Sequence, residues 1–161
     1  MKEQSVLVVD DDAGMRELLK SVLTSEKYIV YTAYGGEDGV KQALALSPDL
    51  IVLDLLMPRM NGAAVCKALR ADKKTATIPI LLATGTQSTD QIQDSVAIGA
   101  DDFVSKPIDT RDLLIRVRAM LRCKEIVDPA ERYLRYTELV REATANLHLP
   151  APPGGLNRPP P

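Results

Sequence analysis

Four short runs in this 161-residue chain, three of them wholly apolar, each end on a group that can do chemistry. Asp54 closes Leu50-Ile51-Val52-Leu53, and Asp10, Asp11 and Asp12 follow Val6-Leu7-Val8-Val9. Thr84 follows Ile80-Leu81-Leu82-Ala83, and Lys106 follows Asp102-Phe103-Val104-Ser105. Apolar runs of this kind read as buried strands, and in an open parallel sheet the carboxyl ends of the strands share one edge, where ligands bind. An acid pair, a lone aspartate, a hydroxyl and a lysine would then converge on one small site.

A carboxylate can accept a phosphoryl group once the charge of the transferred group is neutralised. Mg²⁺ is suited to that task, because it takes hard oxygen ligands from a few carboxylates and keeps several waters. Asp10 and Asp11 meet its demand and Asp54 completes the carboxylate set. Lys106 would add a fixed positive charge and Thr84 a hydroxyl hydrogen bond. Taken singly, each group has an ordinary structural reading, and Asp12 reads as no more than a helix cap. Four chemically matched groups ending four separate strands are better explained by a site.

The elements that must position them alternate in type. Strands are expected at Ser5–Asp10, Tyr28–Ala33, Leu50–Asp54, Pro79–Thr84 and Asp102–Ser105. Helices are expected at Ala13–Ser25, Gly36–Leu46, from Asn61-Gly62 to about Ala71, at Asp90–Ile98 with Gly99 as C-cap, and at Thr110–Cys123 with Thr110 or Asp109 as cap. This rhythm, with right-handed crossovers, predicts a doubly wound three-layer α/β domain on a parallel sheet. After about Lys124 the rhythm stops. Asp128-Pro129 opens a helix to about Leu147, with Tyr133, Tyr136, Val140, Ala143 and Leu147 as its apolar stripe and Leu134 and Leu139 flanking. The organisation expected is a main domain over 1–124, a helical extension over 125–149 and a Pro/Gly-rich disordered tail over 150–161.

Composition narrows the function classes. The chain is 45% hydrophobic and 26% charged, as expected of a globular domain. Its formal charge of −2 advertises neither a nucleic-acid nor an anionic-membrane partner. No apolar run approaches the roughly 20 residues of a membrane helix, and no signal-peptide stretch follows Met1, so a cytoplasmic location is expected. Cys66 and Cys123 are far apart and read as inert packing residues. His148 is the only histidine and lacks a partner nearby in sequence, which leaves the main domain without histidine chemistry.

The same residues carry a family resemblance. Val6-Leu7-Val8-Val9-Asp10-Asp11, Asp54 with Met57-Pro58 and Asn61-Gly62 after it, Pro79-Ile80 leading to Thr84, and Gly99-Ala100-Asp101-Asp102-Phe103 leading to Lys106-Pro107 resemble the receiver (CheY-like) domain of two-component response regulators, in order over about Ser5 to Arg122. The resemblance implies a five-stranded sheet of order 2-1-3-4-5. It makes Asp54 the phosphoacceptor, Asp11 a direct Mg²⁺ ligand, Asp10 a ligand acting mainly through water, and the backbone carbonyl of Leu56 the third protein ligand. Thr84 and Phe103 resemble the family's switch pair, and Lys106-Pro107 its cis peptide. It further implies a sensor histidine kinase or phosphotransfer protein as phosphodonor, and a protein effector that reads a switch face from roughly Ser88 to Cys123.

Three expectations qualify that picture. Leu56 offers no amide or charge to orient a hydrolytic water, so the phosphoryl group should be comparatively long-lived. Asp101, Asp102, Asp112, Arg116 and Arg118 resemble the charged dimer face of some receivers, which adds a homodimer to the expectations, although Ile92 and Ile98 stand where charged partners would be expected. No helix-turn-helix fits into Lys124–Pro161, so direct DNA binding is not expected. Rival readings are a haloacid-dehalogenase-type phosphatase, which would want an aspartate at the position of Leu56, and a flavodoxin-like cofactor binder, which the acidic loop Asp10–Gly14 disfavours. A phosphorelay shuttle and the receiver part of a longer regulator remain as variants of the main reading.

Overall fold

The computed structural model describes residues 2–85, 97–145 and 147. Five parallel strands, β1 (Ser5–Val9), β2 (Ile29–Ala33), β3 (Leu50–Asp54), β4 (Ile80–Thr84) and β5 (Asp102–Ser105), form one sheet in the order β2-β1-β3-β4-β5. The described helices are α1 (Ala13–Ser25), α2 (Gly36–Leu46), α3 (Gly62–Ala71), α4 (Thr110–Cys123) and α5 (Pro129–Thr144). The expected helix at Asp90–Ile98 lies for the most part outside the described residues, as does His148.

Alternation along the strands splits the core into two layers, because successive side chains point to opposite faces. Val6, Val8, Leu50, Val52, Leu81 and Val104 face one way and pack with Leu19 and Leu23 of α1, Leu113 and Val117 of α4, and Tyr136, Leu139 and Val140 of α5. Leu7, Val9, Ile51, Leu53, Ile80 and Leu82 face the other way, onto Ala43 of α2 and Val65 and Leu69 of α3. Strands β3 and β4 are buried at every residue, which is why they read as unbroken apolar runs. Cys66 and Cys123 are buried within these layers as thiols rather than a disulfide.

Capping follows the expected chemistry. Asp12, Asn61, Asp109 and Asp128 each accept a backbone N–H from the first turn of their helices, so Asp109 rather than Thr110 caps α4. Gly99 has φ 112°, the left-handed backbone expected of a C-cap glycine. The Lys106-Pro107 peptide is cis.

Two details depart from expectation in the C-terminal helix. It ends at Thr144, where the Thr144 hydroxyl donates to Val140 O (2.8 Å) and Leu147 N–H donates to Thr144 O (2.9 Å) in a tighter turn. Its buried residues are Tyr136, Leu139, Val140 and Thr144, so Leu139 faces the core rather than flanking it and Ala143 is exposed.

Candidate functional site

The sheet reverses its winding between β1 and β3, and at such a switch point the loops leave the carboxyl edge in opposite directions and open a crevice. Asp10 leaves β1 and Asp54 ends β3 at that point, and carboxylate oxygens of Asp10, Asp11 and Asp54 all lie within 4.8 Å of one another. Asp10 and Asp54 are buried, whereas Asp11 is exposed.

Lys106 reaches into this cluster from just beyond β5, its Nζ 3.1 Å from Asp54 Oδ1 and 3.3 Å from Asp10 Oδ2. Burial pushes the Asp54 carboxyl above its ordinary range; the Lys106 hydrogen bond opposes that rise and the Asp10 charge adds to it. Burial disfavours the Lys106 charge, but the Asp54 and Asp10 contacts outweigh it and hold the ammonium above its ordinary range. Three carboxylates cluster beside one lysine that pairs with two of them, a donor set of hard oxygens with negative charge to spare. That set fits Mg²⁺ by ligand type and number.

The loops are held by backbone and side-chain contacts. Asp12 N–H donates to Asp10 Oδ1 (2.8 Å), and Arg16 Nη1 reaches back from α1 to the Asp10 carbonyl (2.7 Å). Beyond Asp54, Leu55 O accepts Gly62 N–H (2.8 Å) at the start of α3. A Cβ at Gly62 would stand 2.5 Å from Asp54 O and 2.8 Å from Leu55 Cα, so only glycine lets α3 approach the backbone of Asp54 so closely. Lys106 N–H donates to Thr84 O (2.7 Å), tying the ends of β4 and β5 together.

The structure therefore brings Asp10, Asp11, Asp54 and Lys106 into one cluster. Thr84 is buried at the end of β4, level with Ser105 on β5 and one residue past Ala83, which pairs with Asp54. Leu56 follows Asp54 in the same loop with its side chain 58% exposed. Phe103 is not in the cluster; it is half-buried on β5, opposite Leu82, and packs on the α2–α3 layer. Sequence reasoning missed Arg16, whose only signal was a cation one turn into the helix that follows the acid pair.

It also missed a second charged cluster. Asp102 Oδ2 accepts from Arg116 Nη1 (2.5 Å) and from the Tyr136 hydroxyl, while Asp102 Oδ1 accepts Phe103 N–H (2.8 Å) and Arg116 Nε donates to Asp112 Oδ1 (2.8 Å). Asp102 is 1% exposed and Arg116 2%. Burial pushes the Asp102 carboxyl up against the pull of Arg116. Burial likewise opposes the Arg116 charge, yet Asp102 and Asp112 hold the guanidinium above its ordinary range. The other charges read as a dimer face are also engaged within the chain. Asp101 pairs with Arg70 (2.9 Å) and accepts Ile80 N–H, and Arg118 pairs with Glu26. Of the charges that resemble a dimer face, Asp102, Asp112 and Arg116 are buried, with α5 against Asp102, whereas Arg118 is exposed.

Comparison with known proteins follows the same outline. The family model described as the response regulator receiver domain matches residues 6–118. The chain is 40% identical over 131 residues to the DNA-binding dual master transcriptional regulator RpaA of Synechocystis, covering 80% of this chain and 53% of that protein. It is 39% identical over 126 residues to the response regulator ArlR of Staphylococcus aureus, covering 76% of this chain and 56% of that one. The chain thus spans about half the length of the curated relatives it matches. Among solved structures, the Vibrio cholerae chemotaxis protein CheY4 superposes with a TM-score of 0.71 at 30% identity, over 74% of this chain and 99% of that one. The receiver domain of a signal transduction histidine kinase from Syntrophus aciditrophicus gives 0.71 at 31% identity, over 78% and 96%.

Proposed function

The chain belongs to the response regulator receiver family of two-component systems, and on that premise we propose that Asp54 accepts a phosphoryl group from a sensor histidine kinase or phosphotransfer protein. A carboxylate oxygen of Asp54 forms the new O–P bond as the P–N bond of a phosphohistidine breaks, and the leaving ring nitrogen keeps the bonding pair. The observation that carries this reading is the buried Asp54 carboxylate with Lys106 Nζ at 3.1 Å and two further aspartates beside it. Lys106 would follow the phosphoryl oxygens with its positive charge, and the Thr84 hydroxyl would donate to one of them. Asp10, Asp11 and Asp54, with the backbone carbonyl of Leu56, are the residues that would hold Mg²⁺. When bound, that ion supplies positive charge to offset the transferred group.

In this reading phosphorylation is a switch rather than a turnover step. Lys106 and Thr84 gain contacts in only one state, so the equilibrium between conformations shifts toward that state. Phe103 would report the change at β5, and a protein effector would read the surface running from roughly residue 88 to Cys123. We assign residues 1–124 to the receiver, 125–149 to a helical extension and 150–161 to a tail. No helix among the described residues is long and apolar enough to cross a membrane, and a cytoplasmic location belongs to the same proposal. A second reading, the receiver part of a longer regulator, draws support from the share of its relatives' length that the chain spans.

The test is intact-protein mass spectrometry after acetyl phosphate treatment, with and without Mg²⁺. A single Mg²⁺-dependent phosphoryl adduct is expected on the wild type and none on Asp54→Asn; an adduct that survives in the variant refutes the assignment. The decay of the adduct tests Leu56 in the same samples. Leu56→Asn should shorten its lifetime, and an unchanged decay would remove Leu56 from the control of hydrolysis.

A further inference from the structure

Helix α5 lies beyond the residues that the family model matches, yet it is built into the same core as the receiver. Tyr136, Leu139 and Val140 pack in the layer that holds Val104 of β5 and Leu113 and Val117 of α4. The Tyr136 hydroxyl donates to Asp102 at the start of β5, the carboxylate that also accepts from Arg116 of α4. With α5 removed, Asp102, Asp112 and Arg116 would lose a hydroxyl donor and their apolar cover. The linker to α5 touches the core through Ile126 and is otherwise largely exposed. Val127 is 92% exposed, and Glu125, Asp128 and Pro129 are exposed beside it. The outer side of the helix is polar, with Glu131, Arg135, Glu138 and Arg141 in solvent. Its buried contacts run through Tyr136, Leu139 and Val140, and a peripheral unit of this kind opens more readily than central strands.

Strand β5 joins this attachment to the acidic site. It is four residues long; its first residue, Asp102, holds Tyr136, and Lys106 follows its last residue, Ser105. Lys106 N–H is bonded to Thr84 O, so the far end of β5 is tied to the end of β4. In the structure Lys106 bridges Asp54 and Asp10 while Tyr136 is seated on Asp102. A group on Asp54 that draws Lys106 and Thr84 to new oxygens pulls on one end of a strand whose other end is the seat of α5.

We propose that α5 is a resident occupant of the face formed by β5 and α4, held there by Tyr136 on Asp102, and that phosphorylation of Asp54 releases it. The proposal rests on the phosphoacceptor reading above. Coupling between two sites is reciprocal, so loosening α5 must in turn strengthen the binding of a phosphoryl group or its mimic at the acidic site. An effector of the phosphorylated form would then compete with α5 for the face around Asp102 and Arg116.

The experiment is hydrogen–deuterium exchange on the full chain, untreated and after acetyl phosphate with Mg²⁺, with intact mass recorded on the same samples. Phosphorylation should speed exchange in residues 129–144 by about tenfold, within the ordinary range of intersite coupling, and leave α2 unchanged. A full adduct on Asp54 with unaltered exchange in 129–144 overturns the latch while the phosphoacceptor reading stands. Absence of any adduct on folded protein refutes that reading, and the latch with it. Tyr136→Phe, which keeps the ring in the core and removes only the hydroxyl, tests the route through Asp102. It should bind the phosphoryl mimic beryllofluoride with Mg²⁺ about fivefold more tightly than wild type. Equal affinity would overturn that route.

Discussion

Two acidic clusters lie near opposite ends of β5, and each has one basic residue at its centre. At the carboxyl edge, Lys106, whose side chain is 25% exposed, pairs with Asp10 and Asp54, and Asp11 lies beside those two carboxylates. Near the other end, Asp102 and Asp112 surround Arg116, which is 2% exposed and further closed in by Tyr136. The inner cluster is satisfied from within: the guanidinium donates to both carboxylates, and a hydroxyl and a backbone N–H complete Asp102. The outer one sets three carboxylates against one lysine among the described residues. Similar ingredients thus give a sealed joint in one place and an unsatisfied charge in the other. Access to solvent and the number of donors separate the two, since a charge left wanting at an open edge is free to recruit a cation.

The largest expected effect breaks the sealed joint. Arg116→Ala leaves Asp102 and Asp112 buried without their cation, and should cost about 3–5 kcal/mol in urea unfolding. Lys106→Ala at the open edge should cost less than that, because the Lys106 ammonium is itself part-exposed and a cation from solution can take its place beside Asp54 and Asp10. Equal costs at the two sites would erase the distinction between them. A smaller effect of opposite sign sharpens it. Asp54→Asn removes a carboxylate that the fold holds at a disadvantage, so in Mg²⁺-free buffer it should raise Tm by about 3 °C. Mg²⁺ should stabilise the wild type more than the variant. A variant that melts lower than wild type without Mg²⁺ would mean that the edge is not electrostatically unsatisfied.

The two clusters also differed in how far the sequence disclosed them. Asp10, Asp54 and Thr84 each follow an apolar run and Lys106 a shorter mixed one, and a parallel sheet sends all such ends to one edge, so a one-dimensional pattern sufficed to gather them. Caps at Asp12, Asn61 and Asp128 were legible for a similar reason, since a cap acts within its own turn. The Asp102–Arg116–Tyr136 joint had no such signal. Its members are 14 and 34 residues apart, and which face of α5 meets them is a matter of docking. Hence Leu139 read as flanking and Ala143 as buried, and the burial of Asp102, Asp112 and Arg116 went unforeseen. The available clue was Tyr136 itself, an aromatic on an apolar stripe whose hydroxyl must find a partner when buried.

A third ion pair, between the two extremes, sets the scale for what an ordinary contact contributes. Lys124, at the root of the linker to α5, pairs with Asp49, which also accepts from Ser5 N–H (2.8 Å). Burial alone would raise the Asp49 carboxyl, but the Lys124 and Ser5 hydrogen bonds outweigh it and hold it below its ordinary value of 3.8. A carboxyl whose folded-state pKa is depressed stabilises the fold above its unfolded value, and that contribution fades as pH falls through the folded value. Asp49→Asn should therefore cost about 1 kcal/mol or less at pH 7, and the difference from wild type should shrink below pH 3.8. Thermal melts of both proteins over that range test it. A difference that persists undiminished in acid would assign the contribution of Asp49 to packing and neutral hydrogen bonding. The pair would then share nothing with the two charged clusters, whose effects depend on ionised groups.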